Sequence, residues 1–214
     1  MGNTARHKLM AWLSPSYPIG AFSYSHGLEY AIHNGDVVDA DSLDRWVSDI
    51  LSFGAGRNDA ILLAHAYRAN NDAELFEISD LAESLSASSE RHLEMMAQGA
   101  AFAKITSAVT TMDIPALPLP IAVGFAASKE GISLEETLPL YLHSIAANII
   151  AAGVRFIPLG QTDGQRVLAK LFPLFDQVAI QAEEANLDDL GSICFLSDLA
   201  SMKHETMTTR IFRT

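Results

Sequence analysis

Ser133-Leu-Glu-Glu-Thr-Leu-Pro-Leu-Tyr-Leu-His-Ser-Ile-Ala-Ala-Asn-Ile-Ile-Ala-Ala-Gly-Val154 is the stretch on which the fold turns. Ser133 with Glu136 forms a capping box, so a helix is predicted from Leu134 to about Val154. From Thr137 to Val154 there is no formal charge for 18 residues. Apolar side chains cover nearly the whole circumference, which marks a helix surrounded by other helices or by lipid. Pro139, His143 and Asn148 interrupt the stretch and acids cap it, favouring a buried core helix over a membrane span.

Outward from this helix, periodicity near 3.6 dominates and strand-like alternation is scarce. Ile121 to Lys129 reads as a short apolar helix ended by Gly131, and Asp113 to Pro120, with Pro115, Pro118 and Pro120, as a connector. Helices are predicted from Ser88 to about Val109 and from Ala73 to Leu85. Another begins near Asp41, whose carboxylate is the expected cap, with Leu43, Trp46, Val47, Ile50 and Leu51 forming one stripe. Downstream, Thr162 with Gln165 reads as a capping box, and Pro173 must kink or split the helix that follows. Asn186 to Gly191 is a turn, and Phe195 to Met202 a last short helix. The expectation is one all-α domain over residues 1–214, a bundle or array of about eight to ten helices.

Acids outnumber bases 26 to 14, a formal charge of −12 that repels phosphate backbones, so nucleic acid is not an expected partner. The single cysteine, Cys194, rules out an intrachain disulfide and fits a reducing compartment. Only five apolar residues, Leu9 to Leu13, follow the basic start, too few for a secretory core. Arg6 stands where myristoylation would need Ser or Thr. A cytoplasmic protein without membrane attachment is expected.

Three segments do not look like core. Leu13 to Glu29 carries Pro15, Pro18 and Gly20, then Ser23-Tyr24-Ser25-His26, and reads either as a polar turn opening a helix or as a rigid recognition loop. Gly153 to Gln165 holds Arg155, Gly160, Gln161 and Gln165. Gly160 and Gly164 flank a helix start whose backbone N–H groups could face an anion, but the glycine-lysine pattern of a phosphate loop is missing, and the other reading is an interhelical turn fixed by Arg155 and the two glutamines. Asp198 to Thr214 turns basic after an acidic chain, with Lys203, Arg210 and Arg213, and displays Met202, Met207, Ile211 and Phe212. Such a tail is better explained as a segment ordered by docking than as a frayed end.

Catalytic and metal readings find little support. None of the seven histidines stands three or four residues from another, and no Gly-x-Ser-x-Gly elbow surrounds Ser25-His26. His143 reads as a core histidine, and His92, with Glu90 and Glu94 nearby, as solvated. Imidazole suits nickel, and His26 and His204 are the candidates for a transient site; no resident metal or cofactor is assigned.

Ser14-Pro-Ser-Tyr-Pro-Ile-Gly-Ala-Phe-Ser-Tyr-Ser-His-Gly-Leu-Glu29 resembles the N-terminal signature of the UreF urease accessory proteins. Val154-Arg-Phe-Ile-Pro-Leu-Gly-Gln161 with Gly164-Gln165, and Asp198 through Lys203-His-Glu-Thr206 to Arg210-Ile-Phe-Arg213, resemble that family's later motifs. Thr208 stands where the family tail often carries an aromatic. The resemblance implies an all-α, non-enzymatic metallochaperone adaptor that dimerises, binds UreD (also called UreH) and recruits the GTPase UreG. Together they support nickel insertion into apo-urease and modulate the partner's GTP hydrolysis. It makes Ser14, Pro15, Tyr17, Pro18, Gly20, Lys203, His204, Glu205, Arg210, Ile211, Phe212 and Arg213 candidates for the UreD surface. Tyr24, His26, Glu29, Arg155, Gly160, Gln161 and Gln165 are candidates for a UreG or dimer surface. Residues 1–20 and 203–214 are expected to order on partner binding. The alternative class is a small helical metal-dependent hydrolase built on His26 and His204.

Overall fold

The computed structural model describes residues 3–213; Met1, Gly2 and Thr214, the outermost residues of the two terminal segments, lie outside it. Eleven α-helices and no strand occur among the described residues: α1 (Asn3–Trp12), α2 (Leu28–Asn34), α3 (Ala40–Phe53), α4 (Ala55–Arg68), α5 (Asp72–Ser84), α6 (Ser89–Val109), α7 (Leu119–Lys129), α8 (Leu134–Phe156), α9 (Gln161–Lys170), α10 (Phe172–Glu184) and α11 (Phe195–His204). Single 3-10 turns span Ala21–Ser23 and Leu187–Asp189.

The expected central helix is central. α8 packs against α2, α3, α4, α7, α9 and α10, and Leu138, Leu142, Ala146 and Ile149 along it are fully buried. Among the described residues it is the one helix long and apolar enough to cross a membrane, and 56% of that window is buried by its neighbours. Small residues set the closest approaches. A Cβ on Gly124 would stand 2.4 Å from the Leu63 carbonyl oxygen, locking α7 onto α4. One on Gly99 would stand 1.9 Å from the Leu117 oxygen, where α6 meets the chain entering α7.

Local chemistry corrects several boundaries. The α3 cap is Asp39, not Asp41: its carboxylate accepts the Ser42 N–H at 2.8 Å, and the Ser42 hydroxyl accepts the Asp39 N–H at 3.0 Å. This reciprocal pair leaves Asp41 inside the first turn. At α9 the helix starts at Gln161, so Thr162 is already helical, and Asp163 reaches back to the Gly160 N–H at 3.3 Å. Pro173 splits rather than kinks, with the break at Leu171 and the proline in the first turn of α10. Two helices lack a sequence expectation. α4, with Gly54 as its cap and Gly56 in its first turn, and α1, with only a short apolar run, have no helix assigned to them in the sequence reading. α11 runs two residues beyond Met202, which brings His204 into the helix and into the core.

Candidate docking site

The loop before α2 is bent by three consecutive devices. Gly20 is left-handed at φ +77°, and His26 (φ +56°) and Gly27 (φ +74°) turn the chain again. Glycine is required at 27 because a Cβ there would stand 2.7 Å from the Ser201 backbone nitrogen. The loop is thereby clamped to α11. Nearer its start, the Tyr17 hydroxyl pairs with the Thr106 hydroxyl at 2.7 Å while the ring leans on Phe102. This fixes the Ser14–Pro18 bend to α6, and burial raises the Tyr17 phenol pKa against the lowering effect of that bond.

Glu29 opens α2 and is 6% exposed. Its carboxylate accepts the Ile211 N–H and the Phe212 N–H, each at 2.8 Å, and lies 3.2 Å from His204 Nε2. The other ring nitrogen of His204 lies 2.7 Å from Glu90 Oε2, and Arg210 donates to Glu90 Oε1. The Arg213 N–H reaches the Ser23 carbonyl at 2.8 Å, and Glu205 accepts the Ser89 N–H at 2.8 Å at the start of α6. Phe212, expected to be displayed, is instead buried at 4% exposure against Phe156, with the Arg155 guanidinium 5.7 Å above its ring. Arg155 also donates to the Phe22 carbonyl at 3.4 Å. Loop, α8 terminus and tail thus meet at one place, anchored on a carboxylate that satisfies two tail N–H groups.

Not every candidate joins this junction. Gly160, Gln161 and Gln165 sit at the start of α9, which packs on α3, α8 and α10. Tyr24 is buried. His26 turns inward to a polar cluster that periodicity could not locate, because its members come from separate elements. Its Nε2 lies 3.0 Å from Glu94 Oε1 and 3.3 Å from Arg91 Nη1. Arg91 pairs with Glu94, Gln98 donates to Glu94 at 2.9 Å, and the Tyr141 hydroxyl donates to Asp59 at 3.1 Å. His26, Asp59 and Arg91 line two cavities of about 50 and 60 Å³, room for water rather than for a substrate. Burial raises the Asp59 carboxyl pKa against the pull of Arg91 and His26, and burial together with Asp59 raises the Tyr141 phenol well above its usual value. Glu90 and Glu94, expected beside a solvated His92, are buried, whereas His92 itself pairs with Glu83 at 2.9 Å on the surface. His143 lies half-buried against Phe172 and Phe175, and burial lowers its pKa.

His26 and His204 are given to different carboxylates, and among the described residues no group of three His, Cys, Asp or Glu could hold a metal ion. Met202 and Ile211 are displayed as expected, and Phe195, Leu196 and Leu199, not singled out from sequence, join Met202 on one exposed apolar face of α11, from 48% to 73% each. Ile193 and Ile211, before and after this helix in the chain, are exposed as well. An exposed apolar helix face is unusual on an acidic chain.

Residues 37–172 match the family model described as UreF. A urease accessory protein UreF of Cereibacter sphaeroides (strain KD131) is 53% identical over 206 residues, covering 96% of this chain and 97% of the relative. Those of Ruegeria pomeroyi and Roseobacter denitrificans are 48% and 47% identical, over 96% and 100% of this chain and 95% and 96% of theirs. With the all-helical fold and the three signature segments brought to one junction, the chain belongs to the UreF family of urease accessory proteins.

Proposed function

We propose that this chain is a non-enzymatic adaptor of urease maturation in the cytoplasm. Working as a homodimer with UreD (UreH), it recruits the GTPase UreG and supports nickel insertion into apo-urease, modulating GTP hydrolysis through contact rather than through chemistry of its own. The observation that carries this reading is the bare apolar face of α11 running into a tail whose neighbours are the family's own signature residues. Apolar side chains at half to three-quarters exposure cost solubility unless another protein covers them, and Lys203, Arg210 and Arg213 set cations beside them.

The Ser14–Gly20 bend and residues 203–213 form the UreD side. Arg155 at the same junction is the residue that links it to the UreG or dimer side, with Gly160, Gln161 and Gln165 further along on α9. Replacing Leu196 and Leu199 by Glu places charge on this face without touching the core. Such a chain is expected to keep its helical circular dichroism and to lose UreD in co-purification by tenfold or more. Undiminished capture would refute the assignment of the face. Deleting residues 203–214 is expected to abolish capture as well.

A further inference from the structure

The inward-facing polar cluster closes most of its hydrogen bonds on itself. Arg91 pairs with Glu94, Gln98 donates to Glu94 at 2.9 Å, and the Tyr141 hydroxyl donates to Asp59 at 3.1 Å. One atom is left over: His26 Nδ1 is buried and has no hydrogen-bond partner among the described residues. A buried ring nitrogen without a partner carries the whole cost of losing its hydration on folding. The other ring nitrogen defines what that partner must be. Nε2 lies 3.0 Å from Glu94 Oε1 and 3.3 Å from Arg91 Nη1. A carboxylate only accepts and a guanidinium only donates, so the shorter contact puts a hydrogen on Nε2, facing Glu94. In a neutral ring Nδ1 is then an acceptor, and in a charged ring it is a donor. A water molecule meets either need, whereas a carbonyl or an amide N–H meets only one.

Space for that molecule lies beside the ring. The cavity of about 50 Å³ is walled by His26, Asp59, Tyr141, Ser144 and Asn148 among others, and the one of about 60 Å³ by His26, Asn58, Asp59 and Ser201. A water needs roughly 10–15 Å³ of such space and two to four polar partners, and both cavities offer this. The coincidence is specific. Two further buried side-chain atoms have no partner among the described residues, Trp46 Nε1 and Glu136 Oε2, and neither residue lines these cavities.

We propose that His26 Nδ1 is the anchor of a structural water site: one ordered water, hydrogen-bonded to this atom in the space that His26 shares with Asp59, is an integral part of the loop's attachment to the body. His26 holds a left-handed backbone at φ +56°, a conformation uncommon outside glycine. With the water in place both ring nitrogens are satisfied while the backbone keeps that turn. The site fastens the loop toward α4 and α6 from within, as the Gly27 contact with Ser201 fastens it to α11. It is a property of the chain alone and stands apart from the docking function proposed above.

Crystals of the full chain that diffract well enough to place solvent test the site directly. Water density is expected at hydrogen-bond distance from His26 Nδ1, about 2.7–3.2 Å. Xenon under pressure enters dry apolar voids and is expected to stay out of these cavities. His26→Phe keeps a ring in place but removes both nitrogens, and it is expected to lose the water at that position. If this variant does not fold, the parent crystals with and without xenon decide the matter. Parent density with no water at Nδ1, xenon in either cavity, or a protein group bonded to Nδ1 would each overturn the proposal. A water kept at full occupancy in His26→Phe would overturn it as well, because the ring nitrogen would then not be its anchor.

Discussion

Gly27 shows how a single missing methyl group holds the junction of loop, α11 and tail together. Its left-handed backbone and its 2.7 Å approach to the Ser201 nitrogen leave no room for a side chain. Gly27→Ala is expected to cost about 2 kcal/mol through strain and overpacking. Differential scanning calorimetry should read this as a fall in Tm of about 4–8 °C. Asp59 acts in the opposite sense. Its pKa is raised by burial, so the folded state binds more protons than the unfolded state between the two values. Its contribution is therefore fully present below the unfolded carboxyl pKa and is lost as pH rises through the folded one. Asp59→Asn should raise Tm at neutral pH by about 2–4 °C, a stability change of about 1 kcal/mol. The gain should vanish in acid, and an equal gain at pH 3 and pH 8 would contradict the burial argument. At this scale the sequence is partly readable. His204, Glu29 and Phe212 stand out because they lie in segments with odd composition. Glu90 and Glu94 do not, since a carboxylate on an amphipathic helix reads as solvated until the opposing helix is known.

Helices were legible in proportion to their chemical punctuation. α6 and α8 carry serine caps and match their expected starts to within a residue, with Ser88 accepting the Arg91 N–H and Ser133 the Glu136 N–H. α4 was not legible because two glycines stand at its start, although its middle buries Ile61, Leu62 and Leu63 completely or nearly so. The register between helices is set by contacts that leave no periodic trace. Gly99 on α6 abuts the backbone at Leu117, and Gly99→Ala is expected to push the two apart at a cost of about 3 kcal/mol. That corresponds to a loss of roughly 6–12 °C in Tm. A Tm within a degree of the parent would mean that α6 and α7 can separate freely.

At the scale of the molecule, one apolar helix organises the body, and α11 carries an exposed apolar face ahead of a basic tail. The all-α class followed from helical periodicity along the chain, with α8 marking its centre. The meeting of three distant segments did not, because spatial convergence across more than 180 residues, from Glu29 to Phe212, is a product of packing rather than of any local pattern. On the proposed function, this junction is the working part of the protein. Its most direct test is size-exclusion chromatography with light scattering on the purified chain mixed with UreD and UreG. The account predicts one complex containing all three proteins, lost when Leu196 and Leu199 are both Glu. Separate elution of the three, or a complex indifferent to those two substitutions, would contradict it.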